Sequence, residues 1–100
     1  MDTTMNMIEM LRGSDVPFTL YWPNDDGTLK DLTNWTISGF EVDTRIGASL
    51  VLTKGAGLGE INGRIEWVDS YPSGTDMTFR IQISLAAEQR STPLITVNVK

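Results

Sequence analysis

Apolar and polar positions alternate with a period of two along most of the chain, which is the pattern of strands with one buried face. The clearest example runs from Met77 to Leu85, where the intervening residues are Thr78, Arg80, Gln82 and Ser84. Phe18, Leu20 and Trp22 alternate in the same way with their neighbours. The same criteria predict further strands over Trp35–Val42, Ala48–Thr53, Arg64–Val68 and Leu94–Val99. Gly39, inside the first of these, indicates a bulge or close backbone packing.

Turn-forming residues separate the predicted strands. The segment from Pro23 to Gly27 contains Asp-Gly, and Asn62-Gly63 is predicted to form a second tight turn. Met5 to Arg12 fits either a helix or a strand, and Ala86 to Arg90 could form a single helical turn. About six or seven short strands without a convincing helix predict an all-β sandwich or small barrel.

Length and composition predict one globular domain. One hundred residues correspond to a single core, so we expect one domain over residues 1–100, with residues 1–12 as a candidate N-terminal arm. No apolar run is long enough for a membrane helix, and the acidic N-terminus is unlike a signal peptide. A cytoplasmic site of synthesis and assembly is therefore expected.

The chain has no cysteine and no histidine. Disulfides, thiolate chemistry, thiolate-bound metals and the commonest general base are thereby excluded. The net charge of −5 disfavours nucleic acid and anionic membranes as partners, because both require a basic patch. We therefore predict no enzyme activity, no cofactor and no metal.

Three carboxylates, Asp25, Asp26 and Asp31, suggest a calcium site, since Ca²⁺ is bound by several oxygen ligands. The segment lacks the alternating oxygen ligands and the final glutamate of an EF-hand loop. Aspartates at turns commonly accept hydrogen bonds from backbone N–H groups. This second interpretation, a solvated turn, is favoured.

The glycine-rich segment Lys54–Gly59 resembles a phosphate-binding loop only superficially. A P-loop continues into Gly-Lys-Ser or Gly-Lys-Thr, whereas Glu60 follows here and would repel phosphate. Acid–base catalysis would need Glu60 with Glu66, or Asp69 with Asp76, to converge on a cleft. Nothing in the sequence brings these carboxylates together, so exposed positions are expected for them.

Two groups of residues are candidates for an interface. The tryptophans Trp22, Trp35 and Trp67 occupy inward positions and are expected in the core, whereas Tyr21 and Tyr71 fall on outward or loop positions, where they could anchor a protein or stack on a sugar. The N-terminal segment either packs on a neighbouring subunit or folds back as the first strand of its own sandwich. The candidate interface residues are Met5, Met7, Ile8, Met10, Leu11, Tyr21 and Tyr71.

The segments Leu11–Trp22 and Asp26–Ile37 resemble the opening of small immunoglobulin-like domains in structural proteins of tailed bacteriophages, including the N-terminal domain of the baseplate upper protein family. The later segments Gly57–Ile65 and Ile95–Val99 are also similar, so the resemblance extends over roughly Met10 to Lys100. The chain has Asn34 where that family often has glycine.

The resemblance implies an immunoglobulin-like β-sandwich that serves as a virion structural protein in the tail, the baseplate or on the capsid. Its implied partners are other virion proteins, in a homo-oligomer or multicopy assembly formed in the bacterial host cytoplasm. An alternative from another class is a carbohydrate-binding module for host attachment, which fold analogy alone does not separate from the first.

Overall fold

The computed structural model describes residues 7–69, 71, 74 and 76–100, and its regular structure is entirely β. Within these residues no helix is present that could cross a membrane. The strands are β1 (Met7–Met10), β2 (Val16–Tyr21), β3 (Thr36–Phe40), β4 (Leu50–Lys54), β5 (Glu60–Ile65), β6 (Asp76–Leu85), β7 (Glu88–Ser91) and β8 (Ile95–Val99). A five-stranded sheet has the order β1-β8-β6-β3, with β7 also paired to β6, and a three-stranded sheet has the order β2-β5-β4.

The longest strand, β6, organises the core. Met77, Phe79, Ile81 and Ile83 are fully buried, so the alternation in the sequence is confirmed on the face that the pattern indicated. β3 pairs with one side of β6, whereas β8 and β7 pair with the first and second halves of its other side. The burial of these four side chains on one face holds the larger sheet against the smaller one.

A short interruption divides the final strand into β7 and β8. Ala86 and Ala87 form the turn between β6 and β7, so the helical turn predicted at Ala86 to Arg90 is wrong. Between the two strands, the buried Thr92 accepts a hydrogen bond from Ile81 N through Oγ1 (3.0 Å) and donates its own N–H to Ile81 O (2.9 Å). The backbone of β6 therefore remains hydrogen-bonded across the interruption.

The smaller sheet contains the Asn62-Gly63 dipeptide inside β5, so the turn predicted there is wrong. Gly63 lies opposite Phe18 of β2. A Cβ atom added at position 63 would lie 2.1 Å from Phe18 Cζ. The Phe18 ring occupies this space and contacts Phe79 of the other sheet at a centroid distance of 5.9 Å. The glycine is therefore a packing requirement of the core.

The N-terminal segment folds back as a strand. β1 runs parallel to β8, with Met7 beside Thr96 and Met10 beside Val99, and Lys100 N donates to Met10 O. The resulting sheets, β1-β8-β6-β3 and β2-β5-β4, enclose one core in the arrangement of immunoglobulin-like domains. The predicted immunoglobulin-like β-sandwich is confirmed, as is the burial of Trp22 and Trp35.

Turns at residues 43–49 connect the two sheets and deliver Ile46 to the core. The Asp43 carboxylate accepts hydrogen bonds from the Arg45 side chain (3.0 and 2.6 Å) and from Arg45 N (2.9 Å). The hydrogen bonds from the Arg45 side chain, followed by that from its backbone N–H, lower the pKa of Asp43 to about 2. Asp43 therefore remains ionised and holds the turn at neutral pH.

Candidate interaction surfaces

Three of the candidate interface residues lie in the core. Ile8 and Met10 point inward from β1, and Tyr71 is 2% exposed in the connection between β5 and β6. The expectation that these three residues are accessible to a partner is therefore wrong. Ile8 and Met10, at alternate positions of β1, fill the chain's own interior, as one of the two alternatives for this segment anticipated.

The other described candidates are exposed but not adjacent. Met7, Leu11 and Tyr21 are 58%, 65% and 51% exposed. Met7 lies on the outer face of the five-stranded sheet, whereas Tyr21 lies on the outer face of the three-stranded sheet, because their neighbours in each strand point inward. These residues do not form one surface, and Met5 lies outside the described residues.

Tyr71 belongs to a cluster around Trp67 at one end of the sandwich. The two rings meet edge to face at 5.6 Å, and the Arg12 guanidinium lies 5.5 Å from the Trp67 ring. Trp67 N donates to Asp15 (2.7 Å), and Trp67 Nε1 donates to Asp69 (2.8 Å). The cluster joins two connections and is structural.

The aspartates that suggested calcium are turn residues. Asp26 accepts hydrogen bonds from Thr28 Oγ1 (2.6 Å) and Thr28 N (3.0 Å), and Asp31 accepts the corresponding bonds from Thr33. These hydrogen bonds, with that from the hydroxyl contributing most, lower the pKa of both carboxyl groups. Across the part of the chain that the structure describes, no three such side chains are grouped to hold a metal ion.

The glycine-rich loop surrounds a side chain of its own chain. A Cβ on Gly55 would lie 1.9 Å from Glu60 Oε2, so only glycine admits the carboxylate there. Asn62 Nδ2 donates to the same oxygen (3.0 Å), and β5 begins at Glu60. The loop therefore lies against a carboxylate, which would repel a phosphate.

The carboxylates considered for acid–base catalysis are engaged separately. Glu60 is the first residue of β5 and Glu66 follows its last, so the two lie about 20 Å apart for a strand of this length. Asp69 accepts a hydrogen bond from Trp67, and Asp76 accepts one from Asn98 (2.8 Å). The two carboxylates of each pair therefore have separate surroundings and do not face a common cleft.

One sheet edge differs from the others. Edge strands usually carry charges or proline, which hinder pairing with other chains. β1 contains Glu9, β2 contains Pro17, β4 contains Lys54 and β7 contains charged residues at two positions. β3, with the sequence Thr-Ile-Ser-Gly-Phe, contains neither charge nor proline. Among the edge strands that the structure describes, β3 is the one without these features.

An apolar cleft lies between β3 and β4. It has a volume of about 340 Å³. Phe40, the last residue of β3, is 39% exposed. The aliphatic side chains in the wall of the cleft are only partly buried and pack against the core. The lining residues are Ile37, Ser38, Gly39, Val42, Gly47, Leu50 and Leu52. We call Thr36–Phe40 together with this cleft the β3 edge.

The β3 edge was not predicted as a site. The strand itself was expected, but the candidate residues were selected from methionine and tyrosine content. The absence of any charge between Thr36 and Phe40 was the signal that could have identified it. Gly39 pairs with Ile81 in regular register, so no bulge occurs at this position. The close packing predicted at Gly39 is confirmed, because a Cβ there would lie 2.7 Å from Val42 Cγ2.

A second, larger groove lies near the end of β2. Its volume is about 580 Å³, and its walls carry carboxylate, amide, ammonium, guanidinium and hydroxyl groups. Trp22 lines its base but is almost fully buried, which leaves little of the ring for stacking. The remaining lining residues are Pro23, Asn24, Asp25, Asp26, Lys30, Arg90 and Ser91.

Comparisons with known proteins found neither a family model nor a curated protein that matches this chain.

Proposed function

We propose that the chain is a structural domain of a tailed-bacteriophage virion that binds other virion proteins through the β3 edge and has no catalytic activity. The observation that carries the proposal is the unprotected β3 edge, because a strand without charge or proline can add a strand from another chain. The resemblance to phage structural domains supplies the setting: a tail, a baseplate or a capsid surface, with the domain present in several copies.

The apolar cleft supports binding at this edge. Main-chain hydrogen bonds along β3 would provide affinity, and pockets beside an edge strand provide side-chain specificity. Ile37, Leu50 and Leu52 offer such a pocket, and the exposed Phe40 lies on the outer side of the same strand. Among the described residues, the β3 edge thus combines a strand backbone open to pairing with apolar side chains that a partner could contact.

The experiment is quantitative mass spectrometry of purified phage particles assembled in cells that express the chain. We expect a reproducible copy number per particle for the wild-type protein. Phe40→Asp should lower incorporation about tenfold, since a charge at a packed interface costs at least the energy of a typical contact residue. Gln89→Asp is the matched control, because Gln89 is exposed on β7 of the same sheet. Particles without the chain would overturn the proposal.

Glycan binding is the second candidate, and the groove near Trp22 is the observation that favours it. Its volume lies within the range of small-ligand sites, and its walls carry several hydrogen-bonding groups. Calorimetric titration with soluble host glycans tests this candidate. Binding that is lost in Asp25→Ala and retained in Gln89→Ala would support it, whereas no binding by the wild-type protein would exclude it for those glycans.

A further inference from the structure

We propose that two copies of this chain pair through their β3 strands, antiparallel to each other, about a two-fold axis at Ser38. The pairing joins the two larger sheets into one continuous sheet across the dimer. The inference rests on the proposed function, because it names a second copy as a partner of the β3 edge. A two-fold contact of this kind requires that the edge be complementary to itself.

The sequence of β3 meets this requirement. An antiparallel pairing centred on Ser38 is the register that matches all five residues of the strand, with Thr36 opposite Phe40 of the second copy. Ile37 then lies opposite Gly39 of the second copy. Gly39 has no side chain, and Val42 and Leu50 of the same copy fill the position of its missing Cβ, which would lie 2.7 Å from Val42 Cγ2 and 3.3 Å from Leu50 Cδ2. Ile37 of the other copy therefore packs on these two side chains, which line the cleft. A large residue thus faces the smallest one on both sides of the axis.

Charge also favours this edge for contact between copies. The chain has a net charge of −5, so two copies repel each other over most of their surfaces. Near β3, Glu41 pairs with Arg80 (3.2 Å), and Asp43 pairs with Arg45 (2.6 Å). The acidic groups that follow the strand are thus neutralised within each copy, and the strand itself brings none.

The other described edges carry proline or charge. Pro17 in β2 has no N–H to donate, and pairing of β1 or β4 with a second copy would bring Glu9 or Lys54 into the contact. Pairing of β7 would bring in the charges of Glu88 and Arg90. The β3 edge is therefore the one among them that brings neither proline nor charge to a second copy.

The test uses two variants of the residue on the proposed axis. Ser38 is exposed on the outer face of the sheet, so Ser38→Lys and Ser38→Asp leave the core unchanged. Sedimentation equilibrium from about 1 µM to 1 mM suits a contact at the small end of specific interfaces. We expect a concentration-dependent dimer for the wild type and a monomer for each variant alone. An equimolar mixture of the two variants should restore the dimer, because opposite charges then face each other across the axis.

Gln89→Lys and Gln89→Asp are the matched controls and should dimerise like the wild type, alone or mixed. Unchanged circular dichroism and unfolding midpoints establish that the Ser38 variants are folded. A wild type that is monomeric at 1 mM, a Ser38→Lys variant that still dimerises, or a mixture that stays monomeric would each overturn the proposal. A dimer from a chain that is absent from phage particles would instead overturn the proposed function alone.

Discussion

Replacing Gly63 by alanine would place a methyl group where the Phe18 ring lies. The ideal Cβ position is 2.1 Å from Phe18 Cζ and 2.5 and 2.6 Å from the two Cε atoms. Phe18 is itself 7% exposed and contacts Phe79, so its ring cannot turn outward without losing core contacts. The substitution therefore adds volume at a position that has none to spare.

Two opposing contributions set the magnitude. Alanine is intrinsically better than glycine inside a strand by roughly 0.5–1 kcal/mol. Overpacking of a well-filled core costs roughly 1–3 kcal/mol. We expect the second contribution to prevail, so that Gly63→Ala lowers the free energy of unfolding by about 1–2 kcal/mol. A domain of this size has a total stability of roughly 5–15 kcal/mol and should remain folded.

A second substitution reverses the sign. Phe18→Leu removes Cζ and both Cε atoms, which are the three atoms in conflict with a Cβ at position 63. This change alone should cost about 1–2 kcal/mol through lost apolar burial. In the Phe18→Leu background, Gly63→Ala should then stabilise the protein by about 0.5–1 kcal/mol, because only the intrinsic preference for alanine remains.

The assay is urea unfolding followed by the fluorescence of the buried Trp22 and Trp35, with free energies obtained by linear extrapolation. Gly47→Ala is the control, since a Cβ there would meet its nearest neighbours at 3.9 Å, an ordinary contact. It should have the same small effect in both backgrounds. Equal losses from Gly63→Ala in the presence and absence of the Phe18 ring would refute the packing argument.

Three further predictions concern the core, a turn and an ion pair. Ile81→Ala should lower the free energy of unfolding by about 2–5 kcal/mol because Ile81 is fully buried at the centre of β6, and a loss below about 0.5 kcal/mol in urea unfolding would contradict its place in the core. Ala86 has a φ of 54°, so Ala86→Gly should stabilise the protein by about 0.5–1 kcal/mol; a lowered thermal midpoint would argue against strain at this turn. The pKa of Asp43 is about 2 in the folded chain, against an ordinary value of 3.8 for an aspartate in an unfolded chain. The ion pair with Arg45 therefore stabilises the fold fully above about pH 4, and this stabilisation is lost as the pH falls towards 2. Asp43→Asn should therefore be less stable at pH 7 and lose less stability between pH 4 and 2, as measured by urea titrations at each pH; parallel losses would disprove the assignment.

Strands with one buried face could be predicted because burial leaves a direct mark on the sequence. The alternation of β6 identified Met77, Phe79, Ile81 and Ile83 as core residues, and all four are buried. The errors occurred where a local signal was overruled by tertiary packing. Asn62-Gly63 has the composition of a turn, but Gly63 is required beneath Phe18 inside a strand.

The location of the candidate site could not be read from local patterns. Tyr71 lies in a segment with the composition of a loop, yet its side chain is buried in the core and its ring contacts Trp67. The β3 edge is defined by what is missing from Thr36–Phe40 and by the cleft that β4 forms beside it. Which strand lies at an edge depends on sheet order, and sheet order is set by long-range pairing.

The parallel pairing of β1 with β8 determines how the domain would bear a mechanical load. A force that pulls Met7 and Lys100 apart acts along two neighbouring strands in opposite directions, because β1 and β8 run the same way. Their inter-strand hydrogen bonds are then sheared together, whereas an antiparallel hairpin pulled from its open end loses them one at a time. The rate of forced unfolding depends on this barrier rather than on equilibrium stability. Pulling through the two chain ends should therefore meet more resistance than pulling across the β6–β7 hairpin.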